Sequence, residues 1–445
     1  MNNDMRWNHY TDAVNACQCL TAEGRVVKVV GLIVEGLGPG KGVGSICVIH
    51  NAAGEEVRAE VVGFKNHRII LMPYGEMRGI SPGCKITLVD ERPYVPVGDA
   101  FLGRVVNGLG EPIDGKGAIP SNVRYPLYGN VVNPMERRPI REVADVGIGA
   151  INAFITIGKG QRMAIMAGSG VGKSVLMGMI VRHTTADVSV IALIGERGRE
   201  VKDFVEQNLG QEGLKRSIVV AATSDVSPLI RMRGAYLATT IAEYFRDRGL
   251  DVILVMDSIS RFAMSCRDVG LAAGEPPTVK GYTPSFFFQL PKLLERAGSI
   301  EGKGSITGIY TVLVEGDDIN DPVGDATRAI VDGHIVLSRK LANRGHYPAI
   351  DVLASVSRVM RDVVDPEHLK LAEKIRDIMA TYSDAEDLIA IGAYVDGSDP
   401  KIDYAKSMID KINAFLKQDV SEQVSFRVGI NRVKEMLQGP DHEKV

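Results

Sequence analysis

The sequence predicts an α/β protein in which a mainly parallel sheet is preceded by a small β-barrel and followed by a helical domain. Three changes of texture along its 445 residues predict this. From about Val143 to Val364, strand-length apolar runs alternate with helical stretches, the pattern of crossover units and a parallel sheet. From Glu23 to about Asp90, five or six short β-rich runs are separated by turns rich in Gly, Asn and Pro, which suits a small antiparallel barrel. Past Asp365, apolar residues recur at helical spacing between breakers. The expected boundaries are residues 1–21 for an N-terminal segment, 22–92 for the barrel, 93–364 for the central domain and 365–445 for the helices.

Composition narrows the class. A chain of this length suits two or three domains, and 45% hydrophobic residues are enough for a large core. Lys+Arg 52 against Asp+Glu 55 leaves a net charge of −3, so no global basic surface advertises nucleic acid. Five cysteines (Cys17, Cys19, Cys47, Cys84 and Cys266) are scattered and odd in number, as in a reduced cytosolic chain. Cys17-x-Cys19 lacks a second ligand pair at metal spacing and reads as two ordinary thiols. No basic-then-apolar signal opens the chain, and no run approaches a membrane span. The expectation is a soluble, intracellular protein, with any membrane role peripheral.

Element by element, residues 1 to 21 are polar and then mildly apolar, which fits either a short amphipathic helix that docks a partner or a frayed terminus. The barrel runs are Arg25–Val34, Gly44–Ile49, Val57–Phe64, Arg68–Met72 and Lys85–Val89. Their strands carry almost no aromatic stacking platform, Phe64 excepted, which favours a structural or assembly role over nucleic-acid binding. Pro93 to Asn133, rich in Gly and Pro, reads as a domain junction with a tight hairpin at Gly103–Gly115. In the central domain the strands are expected at Arg162–Met166, Val188–Ile194, Ser217–Ala222, Val252–Met256, Gly308–Val314 and His334–Leu337. Helices are expected at Pro228–Arg248 and Pro284–Ala297. The C-terminal helices are Glu367–Tyr382, Ala385–Tyr394, Lys401–Lys417 and Ser421–Leu437, with a charged tail from Gly439.

Between the first of these strands and a helix of apolar residues lies Ala167-Gly168-Ser169-Gly170-Val171-Gly172-Lys173-Ser174. Strand, glycine-rich loop and helix are the context of a phosphate-binding loop, here with Ala167 where the strict pattern has Gly. Glycines let backbone N–H groups close around phosphate oxygens, and the helix N-terminus adds partial positive charge. Lys173 can reach the β- and γ-phosphates of a nucleotide, and Ser174 can ligate magnesium. Two further strand ends matter, because ligands gather at the carboxyl ends of parallel strands. Val252–Met256 ends in Asp257, either a magnesium partner for Ser174 or a helix-capping acid before Ser258. Val188–Ile194 ends in Gly195-Glu196-Arg197-Gly198-Arg199-Glu200. Glu196 there can polarise an attacking water and Arg197 steady phosphate charge, or the stretch is simply a solvated helix start.

These residues resemble a known family. Gly168–Met179 and Leu193–Phe204 are similar to the flagellar export ATPase. Gly274-Glu275-Pro276-Pro277, Leu313–Asp318 and Asp332–Arg339 resemble type III protein-export ATPases generally, relatives of the catalytic subunits of rotary ATP synthases. The resemblance covers nearly the whole chain. It implies a RecA-like P-loop ATPase core that binds ATP with Mg2+ through Gly168, Ser169, Gly170, Val171, Gly172, Lys173, Ser174 and Val175. Glu196 matches the carboxylate that activates water, and Arg197 a residue near the γ-phosphate. Tyr347 matches the aromatic that packs on adenine, and Arg358 the arginine finger that reaches into a neighbour's site. By themselves Tyr347 reads as a turn tyrosine and Arg358 as a surface charge.

The resemblance further implies a homohexameric ring in the cytoplasm, peripherally associated with an inner-membrane export gate. A stator-like regulatory protein would dock on the N-terminal segment, and export chaperones and substrates would be handled by the ring. The expected function is the Mg-ATP-hydrolysing motor of a type III export apparatus, most simply flagellar, with the virulence-type secretion ATPase as the near alternative. An RNA-translocating hexamer would need a basic, aromatic barrel at Glu23–Asp90, and a non-enzymatic ATP-binding scaffold would not need both Glu196 and Arg358.

Overall fold

The computed structural model describes residues 23–314 and 321–438. The proposed docking segment, Cys17, Cys19, the charged tail and the acidic end of Leu313–Asp318 lie outside the described residues. The chain forms two compact units, one of residues up to Pro93 with Val269–Glu275, the other of Tyr94–Asp268 with residues from Pro276 onward.

In the first unit six strands close a barrel in the order β1-β2-β5-β4-β3-β6. They are β1 (Glu23–Val30), β2 (Ile33–Leu37), β3 (Ile46–His50), β4 (Glu56–Lys65), β5 (Arg68–Pro73) and β6 (Lys85–Asp90). Apolar side chains alternate inward, so Val26, Val34, Ile49, Val61, Leu71 and Ile86 fill the interior, as the two-residue period of a strand requires. The sequence run Arg25–Val34 is not one strand but a hairpin: Val30 pairs with Ile33 across a two-residue turn at Gly31-Leu32. β1 then pairs with β6 and shuts the barrel.

The second unit is built on one large sheet. After β7 (Tyr94–Val97) come β8 (Val105–Asn107), β9 (Val123–Pro126), β10 (Arg162–Ala167), β11 (Val188–Ile194), β12 (Ser217–Ala222) and β13 (Asp251–Asp257). They are followed by β14 (Gly298–Ser299), β15 (Ser305–Leu313), β16 (Gly333–Leu337) and β17 (Ile350–Ser357). The sheet order is β17-β16-β10-β15-β13-β11-β12-β8. β8 through β16 run parallel along this path. β17 is antiparallel to β16. β7 and β9 pair in a separate two-stranded sheet and β14 pairs with β15 off this path, all three unread in the sequence, and two strands of the path itself were not legible either. β8, inside the stretch read as a junction, joins the core as an edge strand beside β12, with the expected tight turn closing behind it (Asn107 N–H to Glu111 O, 2.8 Å). β17, which ends one residue before Arg358, forms the other edge.

Helices cover the sheet: α1 (Gly149–Phe154), α2 (Lys173–His183), α3 (Pro228–Asp247) and α4 (Ile259–Ala273). The C-terminal helices α5 (Pro366–Ala390), α6 (Pro400–Leu416) and α7 (Phe426–Gln438) follow. The two runs expected before and after Tyr382 merge into α5, because Ser383 and Asp384 lower helix propensity without breaking the backbone. α7 starts five residues later than its periodicity suggests. Residues before it are held extended: Val424 N–H donates to Gly147 O (3.0 Å), and Gln418 accepts from Gly149 N–H and donates to Gly147 O (both 2.9 Å). One hydrophobic core runs from Ile151 and Phe154 of α1 through Ile165, Ile191 and Val255 of the sheet to Ile375, Ile412, Leu416 and Val433 of the C-terminal helices.

Candidate functional site

The register of the sheet assembles the site. β10 and β13 both flank β15, and β11 lies beyond β13, with Ala167 opposite Leu313 and Leu193 opposite Asp257. The loops after β10, β13 and β11 therefore leave the same carboxyl edge, where such sheets bind ligands.

Gly168 and Val171 are buried and root the loop, while Ser169, Gly170, Ser174 and Val175 are exposed toward whatever binds. Gly172 sits at φ +92° before the first residue of α2, a left-handed conformation that glycine adopts without strain. A side chain there would also press on the Tyr347 ring at 3.4 Å. Tyr347 thus lies against the loop, 47% exposed, as a face available for stacking.

Lys173, 11% exposed, reaches across β15 to the carboxylate of Asp257, and its ammonium is 3.9 Å from Glu196 Oε1. Asp257 is 3% exposed at its side chain and also accepts from Thr311 Oγ1 at 2.6 Å. Glu196 follows Gly195, which has a φ of +71° and where any Cβ would lie only 2.9 Å from Arg261 Cβ, so no other residue fits without strain. The Glu196 side chain is 17% exposed. Burial, the Asp257 carboxylate and the Glu200 carboxylate push its pKa up to about 7, against the opposing pull of Lys173. The hydrogen bond from Glu196 in turn holds Glu200 below the usual carboxylate value.

The Arg197 side chain is 82% exposed and lies 3.7 Å from Glu200. Arg358 does not join the loop at all. β17 runs antiparallel to β16, pairing Ile350 with Leu337 and Ser357 with Gly333. The four strand positions between them put Ser357 about 13 Å along the sheet from the loop edge, and Arg358 one residue further still.

Three residues went unread in the sequence. Thr311 is one of several hydroxyl-bearing residues of β15, with Ser305, Thr307 and Tyr310, and only the β13–β15 register brings it to Asp257. Ser260, whose Oγ accepts from Leu313 N–H at 2.9 Å, ties the start of α4 to β15. Arg261 packs along Gly195 with a buried Nε that has no hydrogen-bond partner; its position one helical turn after Asp257 was the available signal.

The donor set fits a nucleotide with magnesium. An ammonium, the N-terminus of the 11-residue α2 and a positive-φ glycine suit phosphates. Among the described residues no group of three or more His, Cys, Asp or Glu is gathered to cage a metal. Ser174 and Asp257 therefore suit a magnesium ion that takes its remaining ligands from phosphate and water.

The nucleotide-binding domain of the ATP synthase alpha/beta family matches residues 147–357, the beta-barrel domain of that family residues 26–88, and the T3SS EscN ATPase C-terminal domain residues 364–435. The chain is 49% identical to the flagellum-specific ATP synthase of Pseudomonas aeruginosa over 98% of its length and 97% of that protein. It is also 49% identical to the type 3 secretion system ATPase of Xanthomonas euvesicatoria, over 90% of each chain. Among solved structures it resembles the assembled ATPase EscN in complex with its central stalk EscO from enteropathogenic E. coli. The TM-score is 0.86, at 42% identity, covering 93% of this chain and 100% of that one. The chain therefore belongs to the ATP synthase alpha/beta family, among the flagellum-specific ATP synthases and type III secretion ATPases, and it is an ATPase.

Proposed function

We propose that the chain hydrolyses Mg-ATP to drive a flagellar type III export apparatus, as a ring of identical copies. The observation that carries this is the convergence of Lys173, Asp257 and Glu196 on one carboxyl edge of the sheet. Lys173 and the N–H groups from Gly168 to Val175 bind the phosphates, and Tyr347 packs on the base. Ser174 and Asp257 hold magnesium, which when bound withdraws charge from the β- and γ-phosphates. Glu196 orients water and accepts its proton as the water oxygen attacks the γ-phosphorus and the bond to the β-γ bridging oxygen breaks. Its raised pKa suits that exchange near neutral pH.

Arg358 stabilises charge in a neighbouring copy, a reading supported by its distance from its own loop and by the assembled state of EscN. Arg197 sits at the rim, where closure on a nucleotide would have to draw it from Glu200. A central stalk like that of EscN fits the same ring. A regulatory partner on residues 1–21, export chaperones and substrates, and a peripheral place at the cytoplasmic side of the inner membrane complete the reading. Among the described residues no helix is long and apolar enough to cross a membrane. The greater length of chain matched by the flagellar relative favours flagellar over virulence export.

The test is a pair of substitutions. Lys173→Ala is expected to lose both turnover and tight ATP binding. Glu196→Gln should lose turnover by about 10²-fold or more while keeping ATP affinity close to wild type. Normal hydrolysis by Glu196→Gln in a steady-state phosphate-release assay would remove Glu196 from the chemistry.

A further inference from the structure

An exposed arginine at the end of an edge strand has little packing to direct its guanidinium, and an undirected finger would lose rotamer entropy each time it entered a neighbour's site. In this chain the direction comes from the helix Pro322–Ile330. The Arg358 backbone N–H donates to Asp332 O at 2.9 Å, and Arg358 Nη2 donates to the carbonyl of Arg328 at 3.4 Å. The last intrahelical bond runs from Val331 N–H to Thr327 O, so the Arg328 carbonyl belongs to the open, electronegative end of the helix, where a cation is favoured.

The guanidinium of Arg328 is also part of this patch. It is 22% exposed and 3.5 Å from the well-exposed Asp325 carboxylate. The imidazole of His334 is held below its ordinary value by burial first, then by the positive charges of Arg328 and Arg358. Two arginines thus sit on the same end of the β16–β17 edge, one anchoring the other by its carbonyl and both carrying like charge.

We propose that Arg328 is a positioning residue for Arg358: its carbonyl holds one guanidinium nitrogen, and its positive charge turns the rest of Arg358 outward, toward the adjoining copy. This rests on the reading of Arg358 as acting in trans. Arg328 itself does not touch nucleotide; it sets how much of the time the finger points at the next site. Loss of its charge should therefore slow turnover without weakening ATP binding in the same chain.

The experiment uses the full chain and mixed assemblies. Arg328→Gln is expected to lower kcat by about tenfold while KM for ATP changes less than about twofold, and Arg328→Lys, which keeps the charge, should restore most of kcat. Mixing Arg328→Gln protein with Glu196→Gln protein should give turnover above the sum of the two measured alone. Dead-site copies then present an intact Arg328–Arg358 edge to working sites. The same mixing with Arg358→Ala in place of Arg328→Gln tests the underlying reading. If the Arg358→Ala mixture gains activity and the Arg328→Gln mixture does not, the positioning role is overturned while the trans finger stands. If neither gains, the trans reading fails and the proposal falls with it. Should Arg328→Gln not fold, as judged by its unfolding midpoint, Arg328→Met, which also removes the charge, is read by the same mixing.

Discussion

At the scale of single residues, the site turns on how Glu196 is surrounded. A carboxyl one strand away from Asp257, largely shielded from water and hydrogen-bonded to Glu200, keeps its proton to about pH 7, where an ordinary glutamate loses it near 4.5. Ionising it in the folded chain is therefore harder than in the unfolded chain. The resulting destabilisation is absent below pH 4.5, grows between 4.5 and about 7, and is constant above. Glu196→Gln is expected to raise the unfolding free energy by about 1–3 kcal/mol at pH 8 and to give no gain near pH 4. Equal stability of the two proteins at pH 8, in urea titrations, would mean that Glu196 is not under this strain. The loop residues and Asp257 were readable because each ends a strand. Thr311 and Arg261 were not, because their partners come from register and from a close backbone approach.

Among the elements, α3 shows how the sheet is fastened to its cover. Arg296, at 1% exposure the largest fully buried side chain among the described residues, makes paired bonds to Glu243 of α3 (2.8 and 2.6 Å). It also donates to Leu127 O and to Thr240 Oγ1, both at 2.8 Å. Removing one member leaves a buried charge unmatched, so Glu243→Leu should destabilise the unit by about 3–5 kcal/mol. Replacing both, as Glu243→Leu with Arg296→Met, should recover a large part of that loss. Denaturant midpoints of the single and double variants decide it, and a double variant as unstable as the single would count against a desolvated pair. Periodicity located α3, β11, β12 and β13 to within a residue or two. It missed β7, β8, β9 and β14, whose two to four residues each carry little apolar signal, and it missed β17, although five of its eight residues are apolar.

At the scale of the whole molecule, Arg358 and the loop of one chain face away from each other along the sheet, so a lone copy holds an incomplete set of groups for the proposed chemistry. Turnover per chain is expected to rise with protein concentration as copies meet, by up to about 10³-fold if the finger contributes as in other nucleotide hydrolases. Arg358→Ala should flatten that rise. Phosphate release and sedimentation followed across a concentration series check this, and concentration-independent turnover by the wild type would count against a shared site.

The sequence by itself determined the class of ligand, because Gly168–Ser174 carries its phosphate chemistry in consecutive residues of one strand, loop and helix. It also determined the barrel, the alternating core and the helical C-terminus, whose periods of two and 3.6 residues are local properties. Tertiary structure alone decided which strand ends meet, since sheet order β10-β15-β13-β11 is not written in any one segment. It also decided that Arg197 lies out on the rim, that Thr311 steadies Asp257, and that Arg358 stands at the opposite end of the sheet beside Arg328. These depend on pairing between segments far apart in the chain, where register and direction, rather than residue type, set which groups touch.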